Sequence, residues 1–180
     1  AVLALIHVVR SEIADSSGDK ARARKELEAA VVDDATPRSI LLFYWTRADE
    51  LRRELDDREA LVRVAERLSA SKALDVEDRL GYARSAARAL TRGLPYDAAE
   101  AALASEASKA DSGAELAFAI DLWRALLAVR DDHATKEVRG AVTALYDAQS
   151  RPDRRRAIVA DAVERATRLG DEKLVESLAR

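Results

Sequence analysis

The sequence predicts an all-α fold, built as a right-handed α-solenoid of about five antiparallel helical hairpins. Three observations predict it. Alanine, leucine, arginine and glutamate dominate, while aromatics make up only 4 % of the 180 residues, a balance that favours helix over strand. Apolar residues recur at three- and four-residue steps in one segment after another, which is helical rather than strand periodicity. The segments are joined by short breaks rich in Gly, Pro, Asp and Ser, and short connections favour antiparallel neighbours.

The opening run AVLALIHVV begins a helix over 2–15, ended by Ser16-Ser17-Gly18. It lacks the basic leader and cleavage site of a signal peptide and is about half the length of a membrane span. A buried helix is therefore expected. Residue 1 is not Met, so the chain is expected to be a piece of a longer bacterial protein. With no long linker inside it, residues 1–180 are expected to form one helical-repeat domain.

The second helix is expected over 19–32 with Asp19 as its N-cap, because an aspartate side chain accepts from the free amides of a first turn. Ala23, Leu27 and Ala30 follow a four-then-three step and share one narrow stripe, which another helix can approach closely. The residue before Pro37 resists helical geometry, so 33–37 is a connector. The most apolar stretch follows over 37–55, broken briefly at Asp56-Asp57, and its antiparallel partner covers 58–70. Further helices are expected over 75–92 with Asp75 at the start, 97–109, 114–129, 135–148 and 153–169. A last short helix follows Gly170-Asp171. Gly18, Gly93, Gly113 and Gly170 all punctuate turns.

The second helices superpose in register: Ala23 with Leu27, Ala60 with Val64, and Ala99 with Leu103, at intervals of 37 and 39 residues. At these residues the chain resembles the tetratricopeptide repeat family, whose unit is a helical hairpin of about 34 residues. Tyr44, Ala48, Leu51, Ala60 and Val64 take matching places in the second hairpin. Tyr82, Ala86, Ala89, Ala99 and Leu103 do so in the third, and Val163, Ala166 and Gly170-Asp171 in the fifth. In the fourth, either Gly140 or Ala141 is the small contact residue. The resemblance implies a superhelix whose groove is lined by the first helix of each hairpin.

Catalytic constellations are not evident. His7 and His133 have no second histidine one turn away, and are expected as packed or solvated helix residues. No glycine opens a phosphate-binding loop. The pairs Asp33-Asp34, Asp56-Asp57 and Asp131-Asp132 sit between helices, where aspartate caps and turns are favoured. Thirty basic and 33 acidic side chains leave a net charge of −3 with both signs interspersed, so neither nucleic acid nor an anionic membrane is an expected partner. Arg151 and Arg154-Arg155-Arg156 form one basic cluster at a helix start, against the macrodipole, and are expected as solvated surface. Cysteine is absent, which fits a reducing or an oxidising compartment; a cytoplasmic or periplasmic setting is open, with the cytoplasm the default.

Phe43-Tyr44-Trp45 are about 100° apart on a helix and cannot all face one core. Trp45, Asp49, Arg52 and Arg53 follow helical spacing and form a candidate docking stripe, since Trp and Arg are typical interface anchors. Glu12 and Glu164 are further candidates. The expectation is a scaffold without catalytic, cofactor-binding or metal-binding residues, which binds a peptide or protein on its concave face. The alternative is a regulatory or oligomerisation segment of a larger regulator or secretion protein, self-associating through its end hairpins. An apolar end face at residues 1–9, or after Gly170, favours that alternative.

Overall fold

The structure, a computed structural model, describes residues 2–55, 58–109, 113–127, 135–170 and 176, among which it has nine helices and no strand. They are α1 (Val2–Ser16), α2 (Lys20–Ala29), α3 (Arg38–Leu55), α4 (Arg58–Ala70), α5 (Val76–Thr91), α6 (Tyr96–Ala107), α7 (Ala114–Leu127), α8 (Thr135–Ala148) and α9 (Pro152–Leu169). The short helix predicted after Gly170 and the predicted packing of His133 lie outside the described residues.

Local chemistry sets these bounds. Asp19 Oδ1 accepts from the Arg22 amide at 3.0 Å, so the predicted cap forms, and Asp75, expected as the first residue of its helix, caps α5 by accepting from the Asp78 amide at 2.8 Å. Gly18 before α2 has φ +82°, a left-handed conformation that a Cβ would strain. Helix α2 stops at Ala29, short of the predicted Val32, because Ala30 is extended (ψ 120°). The cause is tertiary. Arg67 on α4 donates to the carbonyls of Ala30 (2.8 Å) and Glu28 (3.2 Å) and to the Tyr44 hydroxyl (3.0 Å), supplying the partners that another helical turn would have given.

The helices group into two compact units. The first holds α1 to α5 as far as Leu90, with Gly113–Leu116. Within it α1 lies along α2, α3 against α4, and both helices of the first hairpin rest on α3. Val8, Ala23, Leu27, Leu41, Tyr44, Leu51, Leu61 and Leu68 fill its core. The second unit holds α6, α7 from Ala117, α8 and α9, with α8 packed on α9. Leu103, Ile120, Leu122, Leu126, Ile158 and Ala166 are buried there.

Of the alanines assigned to helix contacts, Ala23, Ala48, Ala86, Ala99 and Ala166 have no measurable exposure, and the Ala60 side chain lies outside the described residues. The fourth hairpin differs from both alternatives read from sequence. Gly140 and Ala141 are each exposed, and Val142 is the residue turned inward. A Cβ on Gly140 would meet no neighbouring atom within 4 Å, so no close approach requires a small residue there.

Candidate interaction surfaces

Helix α1 is apolar on two opposite sides. Ala4, Val8, Ser11 and Ala14 face inward and are buried. Val2 (72 % exposed), Ile13 (64 %), Val9 (39 %) and Ile6 (38 %) face outward, with Leu3 and Leu5 beside them. At about 100° per residue the two sets lie half a turn apart. The prediction of a buried first helix thus holds for one face only. The inward positions carry mostly small side chains, which let α1 lie close on α2 and α3, and the larger branched residues are left outside.

Beneath α1 the inward face meets a charged cluster. Arg47 on α3 is 5 % exposed; it pairs with Asp15 and, at 2.9 Å, with Glu50, and its Nε reaches the Ser11 hydroxyl at 3.5 Å. Lys20 also pairs with Asp15. The Lys20 hydrogen bond, reinforced by Arg47, holds the Asp15 carboxyl below its usual range despite the opposing pull of burial. His7 lies on the flank of the same hairpin, its Nδ1 2.9 Å from Glu26 Oε2. Sequence reading missed Arg47. Its one signal is position: residues 44, 47, 48 and 51 share a helical stripe, and the other three are apolar and buried.

The aromatic triplet resolves as its spacing requires. Tyr44 is buried, and burial raises its phenol above the ordinary value. Phe43 and Trp45 flank it, half-buried against the same core. The Trp45 ring packs on Tyr82 of α5, centroids 4.9 Å apart and tilted by 54°. Asp49 and Arg53 pair with each other at 2.6 Å one turn further on. The Arg52 side chain lies outside the described residues. Trp45, Asp49 and Arg53 therefore share one helix, as predicted. Glu12 is exposed on α1, and Glu164 belongs to the second unit, where it pairs with Arg168 at 2.5 Å.

In the second unit three arginines of α9, two of them from the basic cluster, stand over aromatic rings. Arg154 stands 4.8 Å from the Phe118 centroid, Arg165 5.1 Å from that of Trp123, and Arg155 5.1 Å from that of Tyr146, all within cation–π range. Arg155 also donates to the Gln149 carbonyl at 2.7 Å. Arg151 pairs with Asp153 at 2.6 Å and lowers its carboxyl below the usual range. These contacts offset the unfavourable placement of arginines at a helix start. An open groove of about 430 Å³ runs between Tyr146, Pro152, Arg155, Arg156, Val159 and Ala160.

Among the described residues no group of three or more His, Asp or Glu side chains is placed to hold a metal ion, and no helix is long and apolar enough to cross a membrane. The chain matches no known family profile, and comparisons with curated proteins and with solved structures also give no match.

Proposed function

We propose that the chain is a non-catalytic protein-interaction module of the tetratricopeptide-like, right-handed solenoid kind, which docks a partner polypeptide on the outward face of α1. One observation carries the reading: the larger aliphatic side chains of α1 point away from the core that its smaller ones build. The largest contiguous apolar patch on a monomer is often a functional one, and patches beyond that ordinary size mark interaction sites. A preformed helix also presents its side chains with their backbone entropy already lost, so docking costs less than it would for an unfolded segment.

A second reading places docking on the α3 stripe of Trp45, Asp49, Arg52 and Arg53, lining a concave face. The half-exposed indole and the exposed Arg53 favour it. The ring contact with Tyr82 weighs against it, because part of the indole is already covered.

The two are separated by affinity capture from an extract of the source cells. Under this proposal, an Ile6→Asp/Ile13→Asp variant loses partners that the wild type retains, while Trp45→Ala keeps them. Identical partner sets for the wild type and the α1 variant would rule out docking through α1.

A further inference from the structure

We propose that the groove on the exposed face of α9 is a second docking site, which takes a short acidic peptide. The peptide lies extended along α9, with a carboxylate on the Arg155 guanidinium and an aliphatic or aromatic side chain on Pro152, Val159 and Ala160. The site belongs to the second unit and stands apart from docking through α1.

The groove is built on one side of a helix. Pro152, Arg155, Arg156, Val159 and Ala160 stand three and four residues apart along α9 and share a stripe, and Tyr146, near the end of α8, forms the wall. Ala157, Ile158 and Ala162 are turned the other way and buried, so the core of the unit is already served by the opposite side.

Arg155 is the recognition element. Its guanidinium lies 5.1 Å from the Tyr146 ring centroid and its Nε donates to the Gln149 carbonyl at 2.7 Å, while its two terminal nitrogens take no hydrogen bond or ion pair among the described residues. The side chain is thus exposed and yet held at two points. Held in this way, it presents its terminal N–H groups as a preformed fork, the geometry that meets a carboxylate through two parallel hydrogen bonds. Part of the rotamer entropy that binding would cost is already lost in the free chain.

Charge selects the occupant. The chain carries a net charge of −3, but among the described residues two arginines and no acidic side chain line the groove. Of the carboxylates next to its lining residues on α9, Asp153 is paired with Arg151 at 2.6 Å and Asp161 is turned inward, 4 % exposed. The rest of the lining is apolar, so the complement is an anion that also carries apolar surface.

Shape selects a peptide. From Pro152 to Ala160 the stripe runs about 12 Å along the helix axis, the length of about four residues of extended chain. A small ligand is held by burying most of its surface, and an open groove on one helix face does not enclose one. A peptide gains its contact by length instead.

The probe is a random heptapeptide library displayed on phage, panned against the whole chain and, in parallel, against Arg155→Gln. Sequences enriched on the wild type and not on the variant should share an Asp or Glu beside Leu, Ile, Phe, Tyr or Trp. The most enriched of them, synthesised with a fluorescent label, should bind Arg155→Gln about tenfold more weakly by anisotropy. Arg155→Lys, which keeps the charge and loses the fork, should weaken it several-fold. Ala160→Glu, at an exposed position, should abolish binding by setting a carboxylate in the groove, with helical circular dichroism unchanged in all three variants. Ile6→Asp/Ile13→Asp should bind the peptide as the wild type does.

Enrichment that is the same on Arg155→Gln, or that lacks a carboxylate, overturns the proposal. Loss of peptide binding in the α1 variant, with Arg155→Gln unaffected, overturns the groove and leaves docking to α1. Retention by vesicles of equal parts phosphatidylcholine and phosphatidylserine that depends on Arg155, without an Arg155-dependent peptide, overturns the peptide as occupant.

Discussion

At the residue scale, Arg47 and Asp15 show how a buried charge fixes the seat of a helix. A guanidinium taken out of water is tolerated only with its partners in place, and removing one partner leaves the other charge uncompensated. Asp15→Ala is expected to lower stability by about 3 kcal/mol, because Glu50, more exposed, remains as a partial partner. Arg47→Met should cost less, about 1 kcal/mol, since it removes the buried charge itself and Asp15 keeps Lys20. Urea midpoints of the two variants check the order; equal losses would show that the cluster is not seated as described. The same carboxyl gives a pH dependence. Its folded pKa lies below the unfolded value near 3.8, so its stabilisation is fully present above that value and is lost as pH falls through the folded pKa. As pH falls below about 4 the wild type should lose stability more steeply than Asp15→Asn, which has no carboxyl to protonate there. At Trp45, a double-mutant cycle with Tyr82 should give a coupling of about 0.5–1.5 kcal/mol. A coupling near zero would return the indole to the list of free docking groups.

At the scale of elements, the alanine contacts and the end of α2 carry the argument. Ala23 is sealed within the first unit and Ala29, one residue before the extended Ala30, is exposed. Ala23→Leu should therefore cost about 1–3 kcal/mol by overpacking, whereas Ala29→Leu should leave the denaturant midpoint nearly unchanged. Loss of the guanidinium in Arg67→Ala should cost about 1–2 kcal/mol, and amide exchange in α4 and in the turn after α2 should accelerate together. Gly140→Ala should raise stability by about 0.5–1 kcal/mol, the helix-propensity difference, because the site is helical and nothing crowds an added Cβ. A loss at that position would mean that a close neighbour does pack on it. Helix starts were legible in the sequence because an N-cap is a local hydrogen bond between side chain and backbone, as at Asp19 and Asp75. The end of α2 was not, because its carbonyls find their partner on Arg67, 37 residues beyond Ala30.

At the scale of the whole molecule, far-UV circular dichroism should be dominated by helix; strand content near the roughly 20 % of mixed domains would contradict the fold. What the sequence determined by itself, among the described residues, was the all-helical class, the order of the helices and most of their bounds. These follow from periodicity, caps and breakers, which act over a few residues. It also marked Ala23, Ala48, Ala86, Ala99 and Ala166 as inward-facing, because a small residue on an apolar stripe has few other uses. Tertiary structure decided which side of an apolar helix is covered. The run AVLALIHVV promises burial without saying on which face, and packing chose the side of Ala4, Val8, Ser11 and Ala14 because small side chains admit the closest approach. It likewise decided that Arg47 is inside, that Trp45 lies on Tyr82, and that the arginines of α9 rest on aromatic rings. Each of those outcomes depends on residues far apart in the chain, whose meeting no local pattern records.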